Sequence, residues 1–318
     1  MRVAAIDCGT NSIRLLIADV PDDGTPGLLD VERQMRVVRL GQGVDATGRF
    51  DDAALERTFA ALDEYAQLLN HHHVGPAAVR FVATSATRDA ENREEFMAGV
   101  RARIGVDPEV ITGEEEAALS FAGAVSVHPP RAGERVLVVD LGGGSTEFVV
   151  GDEDGVTASK SIDMGCVRFT ERFLHDDPPT SAQIAAAEST VAEYLAEVQQ
   201  SVDLTQVDRV IGVAGTITTI TAHALDLEKY LPDRINGASL PLGVVGAAAT
   251  ELLELSRERR ELLPFMHPGR VDVIGAGALI WRAIVTHVGE VTGSRVSAAI
   301  TSEHDILDGI ALNVAARV

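Results

Sequence analysis

The feature that most constrains the fold of this chain is a strand-and-turn pattern that occurs twice. The first copy covers residues 3–12 (VAAIDCGTNS) and the second covers residues 136–147 (VLVVDLGGGSTE). In each copy a short apolar run ends in an aspartate, a glycine-containing turn with a serine follows, and a second apolar run returns. This pattern predicts a β-hairpin. Its recurrence predicts a duplicated fold, with one hairpin at the start of each half.

The composition of both turns suits the binding of an anion. Glycine permits positive φ and close approach of a ligand, so successive N–H groups and a Ser or Thr hydroxyl converge on it. An aspartate at the end of the strand is a hard oxygen ligand of the kind that Mg²⁺ prefers. A tight turn without a ligand is the alternative for either copy alone. The recurrence of Asp before the turn and Ser within it favours two phosphate-binding hairpins.

Neither turn matches the commoner nucleotide-binding loops. The chain contains no Gly-Lys-Ser or Gly-Lys-Thr sequence of the P-loop type. The glycines of the second turn lack the dinucleotide-binding spacing, and a strand-like run follows them instead of a helix. These differences weaken the kinase-like and nicotinamide-dependent alternatives.

The length of 318 residues is sufficient for two domains with separate cores. Alternating strands and helices predict an α/β class in which helices cover the sheets. The predicted strands cover residues 2–7, 13–20, 31–40, 79–83, 135–140, 146–151, 155–163 and 296–300. The predicted helices cover residues 51–70, 89–103, 180–200, 215–226, 240–262 and 271–288, with one more beginning near residue 113 and a last one from residue 303. Residues 129–133 (PPRAG) break the pattern, which predicts domains at 1–127 and 128–318.

The formal net charge of −21 limits the partners of the chain. Proteins that bind nucleic acid without specificity use a basic face, so we expect no nucleic-acid partner. A polyanionic substrate must then be held locally by arginines, backbone amides and a metal ion. We also expect no membrane partner, because no segment is predicted to span a bilayer and the N-terminus lacks the pattern of a secretory signal. Two cysteines form no disulfide framework, which favours a reducing cytoplasm.

Five motifs, taken together and in order, resemble the Ppx/GppA phosphatase family of exopolyphosphatases and guanosine pentaphosphate phosphohydrolases. They are residues 7–15 (DCGTNSIRL), 83–90 (ATSATRDA), 113–117 (GEEEA), 140–147 (DLGGGSTE) and 212–219 (GVAGTITT). The resemblance implies two duplicated actin-like, ribonuclease-H-like domains of the sugar kinase, Hsp70 and actin superfold, which flank a central cleft. It also implies that the C-terminal helix, within residues 303–318, packs back on the first domain.

The resemblance assigns roles to five charged residues. Glu116 is expected to be the general base that polarises the attacking water. Asp140 and Glu147 are expected to hold the catalytic Mg²⁺, or another divalent cation such as Mn²⁺, with Asp7 close to the same centre. Arg88 is expected to neutralise the transferred charge, because a guanidinium binds two phosphate oxygens at once.

The resemblance also implies which backbone and hydroxyl groups hold phosphate. Two sets of residues are expected to bracket the terminal phosphoryl group: Gly9, Thr10, Asn11 and Ser12 in the first turn, and Gly142, Gly143, Gly144 and Ser145 in the second. Gly215 and Thr216 are predicted to begin a helix whose free N–H groups hold a further phosphate.

Two of these assignments have ordinary structural alternatives. An acidic first turn such as 114–116 stabilises any helix, and Arg88 has Asp89 or Glu91 nearby for a surface ion pair. Neighbouring carboxylates would raise the pKa of Glu116, whereas the helix dipole would lower it. The sequence leaves this balance open.

The expected reaction is the attack of water on the terminal phosphorus of inorganic polyphosphate, releasing orthophosphate and a chain shorter by one. Guanosine pentaphosphate (pppGpp) hydrolysis is the main alternative, but the motifs encode no pocket for guanine and ribose. An alternative of another class is a non-catalytic nucleotide-binding sensor or scaffold. Because the resembling enzymes are often dimers, we also expect a homodimer.

The resemblance also bears on the preferred length of the polyphosphate substrate. Longer members of the resembling family carry a C-terminal helical extension that this sequence lacks, so we expect a preference for shorter polyphosphates or modest processivity. The chain-length distribution of a partly digested polymer tests this prediction. Full-length chains persisting beside free orthophosphate would contradict it.

Overall fold

The computed structural model describes residues 1–21 and 27–317. The chain forms two compact units, which we call unit 1 (Met1–Val127 with Ile306–Val318) and unit 2 (His128–Asp305). The strands are β1 Arg2–Cys8, β2 Ser12–Asp19, β3 Leu29–Val37, β4 Val79–Ala83, β5 Glu109–Val110, β6 Val136–Leu141, β7 Thr146–Asp152, β8 Gly155–Ile162, β9 Arg209–Val213, β10 Ser239–Pro241 and β11 Ala298–Thr301.

Helices surround both sheets. They are α1 Val44–Thr47, α2 Asp52–His71, α3 Ser85–Asp89, α4 Arg93–Ile104, α5 Gly113–Val127, α6 Cys166–Phe173, α7 Ser181–Val198, α8 Gly215–Ala224, α9 Pro232–Ile235, α10 Leu242–Glu254, α11 Arg257–Glu261, α12 Ile274–Val291 and α13 Ile306–Arg317. In the described ranges, no helix combines the length and the apolar character needed to cross a membrane.

The two sheets share one topology. The strand order is β3-β2-β1-β4-β5 in unit 1 and β10-β11-β9-β6-β7-β8 in unit 2. In each unit the first three strands are antiparallel neighbours, and the next two lie parallel to the first. Strand β10 is an additional antiparallel edge of the second sheet. The predicted duplication is confirmed, and both units have the actin-like, ribonuclease-H-like fold.

The central strands explain why the repeated motifs are so apolar. Every residue of β6 is buried, and β1 is buried from Val3 to Cys8. A strand covered on both faces by helices needs a nearly continuous apolar sequence. Asp7 and Asp140 are the charged exceptions, and each lies close to the end of its strand, beside the glycine-containing turn.

Several predicted element boundaries are wrong because side chains and turns interrupt the periodic pattern. The predicted helix 89–103 is α4, which begins only at Arg93, and the short helix α3 ends at Asp89. Between them, the Asn92 side chain hydrogen-bonds both the N–H and the C=O of Phe50. The predicted strand 31–40 ends at Val37 because the next two amides donate to the carbonyl of Asn11.

The predicted helix 240–262 is also wrong. Its first residues form β10, and the helical part breaks after α10. Ser256 then caps α11, since its side chain accepts a hydrogen bond from the N–H of Arg259. Helix α6 was not predicted, because it is short and its N-cap is Gly165, which forms no side-chain cap. The helix predicted over 51–70 is confirmed as α2, with Asp51 as its N-cap.

The last helix belongs to unit 1 and packs closely on α5. A Cβ at Gly309 would lie 1.9 Å from the carbonyl oxygen of Leu119, so the two helix backbones meet where only glycine fits. The adjacent Asp308 is buried and forms an ion pair of 2.5 Å with Nη2 of Arg33 on β3. The contact at Gly309 holds α13 against the helix that carries Glu116, and the ion pair of Asp308 holds it against β3.

The substitution Gly309→Ala tests this packing. We expect it to lower the free energy of unfolding by about 1–3 kcal/mol, because the added methyl group forces the backbones of α13 and α5 apart. Urea denaturation measures the change. Gly243→Ala is the matched control, since a Cβ there meets open space on the exposed side of α10. Alanine favours the helix by about 1 kcal/mol, so the control is expected to gain stability. Wild-type stability of Gly309→Ala would contradict the close approach.

Candidate functional site

The turn between β1 and β2 holds its amides in a fixed orientation. It is closed by a hydrogen bond of 3.0 Å from the N–H of Gly9 to the carbonyl of Ser12. The carbonyls of Thr10 and Asn11 accept hydrogen bonds of 2.8–3.1 Å from amides of the segment 38–41. In a trans peptide the C=O and the following N–H point in opposite directions. The amides of Asn11 and Ser12 are therefore directed away from that segment, as an anion-binding turn requires.

The turn between β6 and β7 has the same construction. The N–H of Gly142 donates to the carbonyl of Ser145 over 3.0 Å. The carbonyls of Gly142 and Gly143 accept hydrogen bonds of 2.9–3.2 Å from amides of the first turn of α6. The amides of Gly143 and Gly144 therefore point away from α6. A Cβ at Gly165 would lie 2.2 Å from the carbonyl oxygen of Gly143, which shows how closely α6 approaches the turn.

The structure thus places all eight predicted turn residues in two matching turns, one in each unit. Two of their hydroxyl side chains, those of Thr10 and Ser145, are buried. The hydroxyl of Thr10 also lies 3.0 Å from the hydroxyl of Ser85, at the start of α3. Each turn combines oriented amides with hydroxyl groups, which is the combination that suits a phosphate.

The two hairpins differ in the charges that face each other across the strands. In unit 1 the cross-strand partner of Asp7 is Arg14, whose Nε and Nη2 donate to Asp7 Oδ2 over 2.9 and 2.6 Å. In unit 2 the cross-strand partner of Asp140 is a second carboxylate, Glu147. Side chains directly opposite in an antiparallel pair share one face of the sheet. In the first hairpin Asp7 thus faces a positively charged side chain, whereas in the second Asp140 faces a second carboxylate.

The carboxylates of Asp140 and Glu147 suit a divalent cation. Both are buried, with exposed fractions of 7% and 1%, and Ser161 Oγ donates to Glu147 Oε1 over 2.8 Å. Buried like charges need a compensating cation, and hard carboxylate oxygens are preferred ligands of Mg²⁺. In the described part of the chain, no three His, Cys, Asp or Glu side chains form a ready-made metal centre. In proteins Mg²⁺ is commonly held by one or two carboxylates, with water and substrate phosphate completing its coordination.

The three adjacent glutamates at the start of α5 have different environments. Glu114 is exposed. Glu115 turns outward to Arg80, whose buried guanidinium contacts Glu115 Oε1 over 2.6 Å. Glu116 turns inward and is only 7% exposed, and its Oε2 accepts a hydrogen bond of 2.8 Å from Arg88 Nη1. Of the three glutamates, only Glu116 has a buried carboxylate, and this makes it the candidate for a catalytic role.

Arg88 lies between the carboxylate of Glu116 and the backbone. Its Nη1 also donates to the carbonyl of Ile111 over 2.9 Å. The ion pair of Arg88 is thus with Glu116, where the sequence left a surface pair with Asp89 or Glu91 open.

Burial raises the pKa of Glu116 to about 7, and the charge of Asp7 adds to this increase. The positive charge and hydrogen bond of Arg88 and a hydrogen bond from Thr84 oppose it. Burial, which the sequence did not reveal, outweighs the opposing effects of Arg88 and Thr84 on this pKa. A carboxylate with a pKa near neutrality is suited to accept a proton from water.

The start of α8 lies beside a positively charged side chain, that of Arg270. Gly215 and Thr216 begin this helix as predicted, and the preceding Ala214 has φ of 74°, an uncommon conformation for a residue with a side chain. A Cβ at Gly215 would lie 2.3 Å from Cζ of Arg270, and Nη1 of Arg270 donates to Thr219 Oγ1 over 3.2 Å. A guanidinium beside the positive end of a helix dipole favours an anion at that place.

Sequence reasoning missed Arg270. It lies just before α12, far along the chain from Gly215, and no local pattern connects the two residues. Only the tertiary contact between the guanidinium and the first residue of α8 reveals it.

A sequence profile of the Ppx/GppA phosphatase family matches residues 16–313. The chain belongs to this family. It is 48% identical to a Mycobacterium tuberculosis protein named Exopolyphosphatase 2, over 99% of this chain and 98% of that protein. The crystal structure of an exopolyphosphatase-like protein shares 44% identity and superposes with a TM-score of 0.93, covering 100% of this chain and 99% of the other. The Aquifex aeolicus Ppx/GppA family member shares 32% identity with a TM-score of 0.79, covering 100% and 97%.

The ionisation of Glu116 is directly measurable. In protein labelled with ¹³C at the glutamate carboxyl carbons, we expect one signal to titrate with a midpoint near pH 7, above the ordinary value of 4.5. Glu116→Gln identifies this signal by removing it. Thr84→Val removes a donor that stabilises the ionised form, so the midpoint is expected to move to higher pH. A wild-type midpoint below pH 5, or a downward shift in Thr84→Val, would contradict the assigned environment.

Proposed function

We propose that this protein is an exopolyphosphatase, which hydrolyses the terminal phosphoanhydride bond of inorganic polyphosphate. The observation that carries the proposal is the buried carboxylate of Glu116, which is held by Arg88 and has a pKa near neutrality. The anion-binding turns and the similarity to Exopolyphosphatase 2 along nearly the whole chain support it. The products are orthophosphate and a chain shorter by one phosphate.

The proposed role of Glu116 is to accept a proton from the attacking water. In its ionised form, Oε2 is held by Arg88, so the carboxylate has a defined orientation. The oxygen of the water bonds to the terminal phosphorus while the bond from phosphorus to the bridging oxygen breaks. The electron pair of that bond remains on the shortened chain. A general base of this kind contributes about 10²- to 10⁴-fold to the rate.

The proposed role of the two turns is to bind phosphate oxygens through amides that are already oriented. Phosphoryl transfer passes through a loose transition state, so positioning and charge stabilisation supply most of the acceleration. Amides held in place by their own peptide carbonyls need no reorganisation during the reaction. Arg88 is proposed to add positive charge at the reacting phosphoryl group. The start of α8, with Gly215, Thr216 and Arg270, is proposed to bind a phosphate farther along the chain.

Asp140 and Glu147 are proposed to hold the divalent cation, Mg²⁺ or Mn²⁺. A bound cation neutralises charge on the phosphoryl oxygens. The role of Asp7 at the metal stays a prediction, because its Oδ2 is already paired with Arg14 and its charge raises the pKa of Glu116.

Two other functions can be compared with the environment of Glu116. Hydrolysis of pppGpp would use the same carboxylates and turns, and the five motifs resemble enzymes of both types. A binding-only sensor would have no use for a buried carboxylate whose pKa lies near neutrality, so the environment of Glu116 favours a hydrolase. The homodimer and the cytoplasmic location stay predictions.

Substitution of Glu116 tests the proposed function. We expect Glu116→Gln to lower kcat for polyphosphate by about 10²- to 10⁴-fold while the Kd for polyphosphate changes little, because the amide keeps the shape and loses the base. Glu114→Gln, two positions away and exposed, is the matched control and is expected to retain wild-type kcat. Orthophosphate release and equilibrium binding are measured for each variant.

Three substrates separate the alternatives. Orthophosphate release by the wild-type protein is compared for polyphosphate, pppGpp and ATP. If kcat/KM is higher for pppGpp than for polyphosphate, pppGpp becomes the substrate. If none of the three compounds is hydrolysed, the binding-only sensor becomes the function. Equal losses of binding and turnover in Glu116→Gln would assign this residue a structural role.

A further inference from the structure

A buried arginine lies beneath the second anion-binding turn. Arg168, on the first turn of α6, is 9% exposed, and its Nε donates to the carbonyl oxygen of Gly144 over 2.9 Å. Its guanidinium also lies 3.8 Å from a carboxylate oxygen of the exposed Asp163, a pair that contributes little at such exposure. The contact with Gly144 ties the Arg168 side chain to the turn.

This contact completes a series of three carbonyls. The amides of α6 hold the carbonyls of Gly142 and Gly143, and the side chain of Arg168 holds the next one, that of Gly144. Because the C=O of Gly144 and the N–H of Ser145 belong to the same trans peptide, fixing the carbonyl on the side of α6 directs the Ser145 amide to the opposite side. Three successive amides, those of residues 143–145, then face one direction.

The first turn uses different donors. Its carbonyls at residues 10 and 11 are held by backbone amides of the segment 38–41. In the second turn, the first turn of α6 supplies backbone amides to two carbonyls, and the third is reached by a side chain. The last amide of the second turn therefore depends on the identity of one residue, which a substitution can change without altering the backbone.

We propose that Arg168 is a positioning residue for the second phosphate-binding turn, where it orients the Ser145 amide toward the reacting phosphoryl group. This inference rests on the proposed function. Arginine suits the task because its planar guanidinium is charged at all working pH values and donates several hydrogen bonds in fixed directions. It also places a positive charge behind the carbonyl, which polarises the peptide and strengthens its N–H as a donor.

The experiment compares three substitutions of Arg168 with one control. Arg168→Met keeps the length and apolar packing of the side chain but removes the donor, Arg168→Lys keeps the charge, and Arg168→Ala opens space for added guanidinium. Arg172→Met, on the exposed side of the same helix, is the matched control. Thermal unfolding of each variant sets an assay temperature at which all are folded.

We expect Arg168→Met to lower kcat for polyphosphate by about 10-fold or more while KM changes by less than about threefold. Loss of a single amide donor to a developing charge costs about 10²- to 10³-fold, and a loosened donor costs less. Arg168→Lys is expected to retain intermediate activity, and guanidinium at millimolar concentration is expected to raise kcat of Arg168→Ala several-fold. Arg172→Met is expected to retain wild-type kcat.

Binding of orthovanadate and tripolyphosphate, measured by calorimetry with Mg²⁺ in the Glu116→Gln background, which suppresses hydrolysis, adds a readout that needs no turnover. We expect Arg168→Met to weaken the binding of orthovanadate, which resembles the transition state, by about 10-fold, and that of tripolyphosphate by less than about threefold. Wild-type kcat and wild-type orthovanadate affinity in Arg168→Met would overturn the inference and leave the proposed function intact. If the wild-type protein binds these anions but hydrolyses no polyphosphate, the proposed function fails, and the orthovanadate affinity of Arg168→Met still decides the role of Arg168. A structural role would lower the melting temperature without the difference between the two anions and without rescue by guanidinium.

Discussion

A buried carboxylate is stable only beside positive charge or hydrogen-bond donors, and each half of this chain has an aspartate near the end of its buried central strand. The two units meet this requirement differently. In unit 1 the facing residue is Arg14, so the hairpin neutralises Asp7 by itself. In unit 2 the facing residue is Glu147, so two buried carboxylates share one face of the sheet. The duplicated hairpin thus carries an ion pair in one copy and, in the other, the two carboxylates that we propose as ligands of a divalent cation.

The turns that follow these strands show how backbone geometry produces an anion site. Their carbonyls are drawn to one side by hydrogen bonds from the next element, and the planarity of the peptide turns the amides to the other side. The donors to the carbonyls differ: a loop in unit 1, and a helix with the side chain of Arg168 in unit 2. The same amide orientation therefore arises from different tertiary contacts. The packing around each turn, as well as its glycines, therefore determines the direction in which its amides point.

The hydrolytic assignment depends on which of three neighbouring glutamates is buried. Arg80 holds Glu115 on the outside of α5, and Arg88 holds Glu116 on the inside. These two arginines, on β4 and α3, set the orientation of the first turn of α5. Burial then raises the pKa of Glu116 toward neutrality.

The sequence by itself determined the duplicated hairpins, the α/β class and the residues of both turns, because strands and tight turns are specified by short local patterns. Local patterns misplaced the start of α4, where the Asn92 side chain binds the backbone of the distant Phe50. Only the tertiary structure decided that Glu116 is the buried glutamate, that Arg270 lies against the start of α8 and that Arg168 holds the carbonyl of Gly144. Burial and ion pairing depend on contacts between residues that are far apart in the chain, and these contacts exist only once the sheets and helices have packed.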